Sequence, residues 1–293
     1  MKTFIVTGGS AGIGLQIARR LAHDGNQVVL VGRNPDRLKQ AELSLAAEAL
    51  TCRTVSLDVR DDVAVNHLIE NLSEVDGVVN NAAGNFAAPA VDMSLNGFRA
   101  VVEISLYGTF NFSTAVARRL IAEERPGVMC NIITTYAWTG APGVAHSAAA
   151  KAGMLAFTKS VGREWGAHGI RVNAVAPGFV PTESATAQIL SAPDSADRMR
   201  GLIPLGRFGR SEEISDAVSF LMSDQASYIT GTSSPSTAAG PSECQCTPPH
   251  PATTARDPVR LHPRLFVGSA WRSPNKMKHK GQPTTRAAPM ACT

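Results

Sequence analysis

From residue 3 to about 175 the chain alternates apolar runs of strand length with stretches whose apolar positions recur every three or four residues. The runs at 3–7, 27–32, 53–57, 76–80, 127–133 and 170–175 are short and rich in Val and Ile, which predicts strands buried on both faces. The amphipathic stretches at 12–24, 35–48, 61–71, 96–122 and 147–167, with two more at 184–200 and 212–223, predict helices. Strand and helix taking turns in this way is the mark of repeated βαβ units. The predicted fold is therefore α/β, a single doubly wound parallel sheet.

After Thr232 the pattern stops. The last 61 residues hold ten of the 18 prolines and three of the five cysteines, with no sustained period of 2 or 3.6. Such a segment is expected to be a disordered tail, which sets the domain boundaries at 1–232 and 233–293. It also accounts for the charge. The whole chain carries +4, but the tail has eight Lys/Arg against two Asp/Glu, leaving 20 basic and 22 acidic residues before it. A nucleic-acid partner calls for a basic surface on the folded part, so none is expected. Nor is a membrane partner, since no apolar run approaches the roughly 20 residues of a span. The N-terminus enters a strand pattern without the apolar stretch of a signal peptide, so the expected location is cytoplasmic. Cys52 and Cys130 have no near partner, and neither a disulfide framework nor a metal site is expected.

The chemistry begins at Thr7-Gly8-Gly9-Ser10-Ala11-Gly12-Ile13-Gly14, between the first strand and the first helix. Glycines at 8, 12 and 14 permit a tight turn through which helix N-terminal amides can meet a pyrophosphate. The end of the second strand decides which nucleotide fits. An acid there would bond a ribose 2′-hydroxyl and a base would meet a 2′-phosphate; the sequence is Gly32-Arg33-Asn34, with Arg37 one turn on. This points to NADP(H).

The turn resembles the Thr-Gly-x-x-x-Gly-x-Gly of the short-chain dehydrogenases/reductases, a family of Rossmann-type domains. Further segments fit that family in order: Asp58-Val59 after the third strand, Asn80-Asn81-Ala82-Ala83-Gly84 closing the fourth, and Pro177-Gly178 after the sixth. The resemblance implies that Thr7, Gly8, Ser10, Gly12, Ile13, Gly14, Arg33, Asn34, Asp58, Val59, Asn81, Ala82, Ala83, Gly84, Lys151, Pro177 and Gly178 contact the nucleotide, with Asp58 near the adenine. It also implies a homo-oligomer, dimer or tetramer, if the C-terminus permits.

Most of the family uses a Ser, a Tyr and a Lys four residues after that Tyr. Here Lys151 has Ser147 in the Tyr slot, and Thr134 stands in the Ser slot. An unassisted serine hydroxyl is far too weak an acid to replace a phenol of pKa about 10. The stretch Thr134-Thr135-Tyr136-Ala137 through His146-Ser147-Ala148-Ala149-Ala150-Lys151 instead resembles the 2,4-dienoyl-CoA reductases, in which the tyrosine lies at the end of the fifth strand, fifteen residues before the lysine. Asn85-Phe86 after the Asn-Asn-Ala-Ala-Gly run extends that likeness. It implies an NADPH-dependent reductase of an unsaturated acyl thioester, yielding a 3-enoyl thioester, with Tyr136 as hydrogen-bond and proton donor and Lys151 on the nicotinamide ribose. A 3-oxoacyl or other carbonyl reductase, and a catalytically impaired NADP(H)-binding protein, are the alternatives. Tyr107 departs from the pattern, standing where the family has asparagine. His146 is expected near solvent at a helix start, and Phe86 and Trp138 are candidates to line an acyl pocket or simply to pack.

Family members end on a strand resembling Thr-Val-Ile-Pro-Val-Asp-Gly-Gly, whereas Ile229-Thr230-Gly231-Thr232 is followed here by Ser-Ser-Pro-Ser-Thr-Ala-Ala. One GC-rich coding of the expected segment, GTC ATC CCC GTC GAC GGC GGC, reads Ser-Ser-Pro-Ser-Thr-Ala-Ala when shifted by a single base. The residues from about 233 are accordingly expected to be a frameshift product, and the last strand to be missing or altered.

Overall fold

Six strands form where the apolar runs predict them, β1 Thr3–Thr7, β2 Gln27–Gly32, β3 Arg53–Ser56, β4 Gly77–Asn80, β5 Gly127–Ile132 and β6 Ile170–Pro177, and a short polar β7 Ser233–Ser236 follows that no such run predicts. The computed structural model describes residues 1–182 and 195–236. All of these belong to one compact unit, Met1–Pro249; a second, His250–Thr293, lies outside them. The seven strands make one parallel sheet in the order β3-β2-β1-β4-β5-β6-β7. Chain order reverses between β1 and β4, which pair through Phe4–Gly77, Ile5–Val78 and Val6–Val79. In open sheets of this kind the crevice beyond the carboxyl ends of those two strands is where ligands bind.

Alternate residues of each strand feed opposite cores. Phe4, Val6, Val28, Leu30 and Cys130 pack with α1 Gly12–His23, α2 Pro35–Ala46 and a late helix Ser211–Met222. Ile5, Val29, Val31, Val78 and Met129 pack on the other face with α3 Asp62–Asn71 and the helices that follow β4 and β5. Local signals start the helices: Asn34 Oδ1 accepts from Arg37 N at 2.9 Å with Pro35 in the first turn, and Asp61 Oδ1 accepts from Ala64 N at 2.9 Å. A buried polar chain ties the sheet to the second face. Asn80 Nδ2 donates to Ser113 Oγ and to Asn131 Oδ1, both at 2.9 Å, and Asn131 Nδ2 donates to Thr158 Oγ1 at 2.8 Å.

Four differences from the sequence reading bear on the site. The helix expected over 96–122 is divided: α4 Leu95–Val102, a π-helical turn Glu103–Tyr107, then α5 Gly108–Ala122. Tyr136 opens a single turn, α6 Tyr136–Thr139, and α7 Ala145–Glu164 begins two residues before its expected start. Of the helix expected at 184–200, only α8 Ser195–Gly201 falls among the described residues, followed by α9 Ser211–Met222. Finally, the last strand is altered rather than missing. Ser233 to Ser236 pair in parallel with Ala174 to Pro177. Sheet pairing is a main-chain interaction, and Gly231 N and Thr232 O, bonded to Val172 O and Ala174 N at 2.8 and 2.9 Å, hold the segment in register whatever its side chains. The segment beyond Ser236, for which the sequence reading expects a frameshift product, lies outside the described residues.

Candidate active site

At the switch point the chain turns through Gly8 (φ +64°) and Gly12 (φ +55°), left-handed conformations that favour glycine. Below the turn, Thr7 Oγ1 accepts from the amides of Asn81 and Ala82, both at 3.0 Å. Asn81 Nδ2 donates to Thr7 O and Gly8 O at 3.1 and 3.2 Å. Gly14 is held so near that a Cβ on it would stand 2.5 Å from Asn81 Nδ2 and run into Gly8 O. The cradle leaves Ser10, Gly12 and the first amides of α1 along an open rim, while Ile13 is half-buried and packs on the core. It suits a pyrophosphate: glycines let the backbone approach a ligand closely, and the helix dipole favours an anion there. Ala83 is exposed and Gly84 half-buried beside Ile104; Pro177 is buried at the end of β6, with Gly178 following half-buried.

The sequence reading expects the adenosine at the paired ends of β2 and β3. Gly32 faces Ser56, and Leu57 N donates to Gly32 O at 2.9 Å, so Arg33 and Asp58 leave neighbouring strands. Arg33 is exposed. Asn34 serves as the cap of α2. Asp58 is held by Arg60, whose Nε lies 3.1 Å from both carboxylate oxygens and Nη2 2.7 Å from Oδ2. Those bonds, outweighing the effect of partial burial, keep its carboxyl below the usual range. Val59 is buried, and its carbonyl accepts from Asn111 Nδ2 at 3.0 Å.

Three of the residues singled out for catalysis meet. The Tyr136 hydroxyl lies 3.1 Å from Ser147 Oγ, and Lys151 follows Ser147 by one turn on the same face of α7. Ser147 and Lys151 are buried. Lys151 Nζ donates to Ile132 O at 2.6 Å, and burial pulls its ammonium from the ordinary 10.5 down to about 8. Thr134 Oγ1 is buried without a partner among the described residues. Tyr107, at the end of the π turn, is 56% exposed, unlike the buried Ser147 and Lys151.

His146 corrects an expectation. It is fully buried, not near solvent, because α7 starts early and the loop after β4 folds over it. Ala88 N donates to Gly143 O at 2.9 Å, and the Phe86 ring stands edge-on to the imidazole at 4.3 Å between centroids. The imidazole Nδ1 accepts from Ser147 N at 2.8 Å, and burial lowers the His146 pKa, which keeps the ring neutral. Phe86 thus has a packing role, while Trp138 is 40% exposed. Arg60 was missed by the sequence reading; its only signal was its place two residues after Asp58. Among the described residues no group of three or more His, Cys, Asp or Glu is arranged to hold a metal ion, and no helix is long and apolar enough to cross a membrane.

Comparison with known proteins places this arrangement. Residues 8–235 match a family model described as enoyl-(acyl carrier protein) reductase. The chain is 40% identical over 235 residues, 78% of its length and 92% of the relative's, to a probable 2,4-dienoyl-CoA reductase [(2E)-enoyl-CoA-producing] of Bacillus subtilis. Among solved structures, a short chain dehydrogenase from Bacillus anthracis matches with TM-score 0.73 and 42% identity over 80% of this chain and 94% of that one. A putative 2-deoxy-D-gluconate 3-dehydrogenase from Agrobacterium tumefaciens with bound NADP matches with TM-score 0.76 and 31% identity, covering 80% and 94%. The chain therefore belongs to the short-chain dehydrogenase/reductase family, oxidoreductases that use a nicotinamide cofactor, and within it resembles the 2,4-dienoyl-CoA reductases.

Proposed function

We propose that the protein is an NADPH-dependent reductase of unsaturated acyl thioesters, 2,4-dienoyl-CoA reductase-like, with Tyr136 as its hydrogen-bond and proton donor. The observation that carries this reading is the 3.1 Å approach of the Tyr136 hydroxyl to Ser147 Oγ, one turn from Lys151. When bound, the reduced nicotinamide supplies a hydride. The glycine cradle at 8–14 holds the pyrophosphate, Lys151 holds the nicotinamide ribose, and Arg33 meets the 2′-phosphate. One N–H of the Lys151 ammonium is used on Ile132 O, which leaves donors for a ribose hydroxyl.

Conjugation lets the substrate accept reduction at the carbon farthest from the thioester, so negative charge gathers on the carbonyl oxygen. Tyr136 donates to that oxygen, and the buried positive charge of Lys151 favours the charge developing there. Ser147 keeps the phenol oriented and, because its own hydroxyl can both donate and accept, passes the proton's place along. A proton delivered beside the thioester, from Tyr136 directly or through water, gives a 3-enoyl product; delivery two carbons further out gives the 2-enoyl product that the Bacillus subtilis relative's name states for that protein.

Exposed Leu95, Phe98 and Phe110 on α4 and α5 support assembly into a homo-oligomer, which ultracentrifugation reads directly. Oxidation of NADPH with 2,4-dienoyl-CoA, 3-oxoacyl-CoA and simple ketones tests the substrate class. The expected outcome is turnover of the dienoyl thioester and loss of about 10²-fold or more in Tyr136→Phe. Turnover of ketones alone would make it a carbonyl reductase. Nucleotide binding without turnover on any substrate is the third reading, which the phenol of Tyr107 in place of asparagine favours.

A further inference from the structure

Asp58 poses a problem for a site that is to take a 2′-phosphate. Its carboxylate leaves the end of β3 beside the end of β2 that carries Arg33, since Gly32 pairs with Ser56 and Ser56 Oγ donates to Arg33 O at 3.2 Å. Left alone, that carboxylate would repel a phosphate on Arg33 and compete with it for the guanidinium. Arg60 removes the problem. Its Nε reaches both carboxylate oxygens at 3.1 Å, its Nη2 reaches Oδ2 at 2.7 Å, and its own amide donates to Oδ1 at 3.0 Å. The fork is planar and permanently charged, a geometry lysine cannot reproduce. Glu103, at the start of the π turn, holds the far side of the same guanidinium at 3.8 Å.

We infer that Arg60 is a specificity-determining residue that neutralises and turns away the Asp58 carboxylate, so that Arg33 stays available to the 2′-phosphate of NADP(H). It is a positioning residue, acting on the nucleotide through Asp58. The inference rests on the NADP(H) reading above and adds to it a cause of selectivity outside the β2 end. Asp58 contributes its contact with the adenine side equally to both nucleotides. The effect of Arg60 is therefore confined to the nucleotide with the extra phosphate, and it appears as a ratio.

The test is equilibrium binding of NADPH and NADH, by quenching of protein fluorescence, to the full chain and to Arg33→Gln, Arg60→Gln, Asp58→Asn and the double variant Asp58→Asn/Arg60→Gln. Arg60 and Asp58 lie at the surface, so the variants should fold, and thermal unfolding without nucleotide checks this. Arg60→Gln is expected to lower the ratio of NADH to NADPH dissociation constants by about tenfold, with NADH affinity changed by less than about twofold. The double variant, with no carboxylate left to shield, is expected to recover most of the ratio. An unchanged ratio in Arg60→Gln, or no recovery in the double variant, overturns the inference while leaving the NADP(H) reading intact if Arg33→Gln still lowers the ratio. A wild-type protein without NADPH preference overturns both.

Discussion

Replacing Lys151 with methionine is expected to stabilise the fold and abolish turnover. Lys151 is 4% exposed, and burial brings its ammonium from 10.5 to about 8. At about 1.4 kcal/mol per tenfold change in proton affinity, carrying that charge near neutral pH costs the folded state about 3 kcal/mol relative to the unfolded chain. Methionine keeps most of the side chain's volume without the charge. It forfeits the bond to Ile132 O, which for a charged donor offsets about 1.5–3 kcal/mol. The net gain near neutral pH is about 1 kcal/mol, a rise in melting temperature of about 2–4 °C for a domain of this size. The dependence on pH is the sharper signature. Between about 8 and 10.5 the unfolded chain still holds the proton that the folded chain has released, so this lysine makes wild-type stability rise with pH across that window. The variant lacks this contribution, and every other group titrates alike in both proteins. The difference in unfolding free energy should therefore move by about 3 kcal/mol in favour of the wild type from neutral pH to beyond 10. Urea unfolding without nucleotide measures it. A difference independent of pH, or one moving toward the variant, would refute the assignment of a buried, destabilising charge.

The same lysine should give kcat/KM an alkaline limb, with activity falling as pH rises through about 8 and the ammonium loses its proton; a flat profile to about pH 10 argues against its electrostatic role. Gly14→Ala should force the cradle open against Asn81 and Gly8, costing about 1–3 kcal/mol of stability and more than about tenfold in nucleotide affinity. Thermal unfolding and nucleotide titration check both, and an unaffected affinity would mean that the turn does not cradle the ligand. For the proposed frameshift, the gene decides: an adjacent reading frame from codon 233 should encode a Val-rich segment ending in Asp-Gly-Gly, and its absence would make the tail a genuine extension.

Most of the fold was legible because its central strands are buried on both faces and so spell themselves in Val, Ile and Leu; β1 and β2 fall where the runs do. The glycine turn was legible for a similar reason, since backbone geometry there dictates residue type. The interruption at Glu103–Tyr107 was not, because the apolar stripe runs through it without a proline or a glycine to mark the widened turn. His146 misled because its burial is imposed by Phe86, sixty positions earlier in the chain, and local pattern carries no trace of such a contact. The approach of Tyr136 to Ser147 likewise depends on a one-turn helix too short for any periodicity to announce. Resemblance to a family supplied what spacing alone could not, namely that a tyrosine outside the usual slot was worth watching.

The short polar β7 has a consequence for how the molecule breathes. It is four residues long and contributes Pro235, which has no amide hydrogen to give, and an exposed Ser234. An edge so thinly bound opens far more often than the sheet it borders. In β6, neighbouring residues look opposite ways: the amide of Ala174 faces Thr232, whereas the carbonyl of Val175 faces Ile133 and the protected interior. Solvent should therefore trade protons with alternate residues of one strand at very different rates. Because β6 ends at Pro177, beside the nucleotide crevice, this fraying border lies next to the chemistry, and a firmer final strand would stiffen both together.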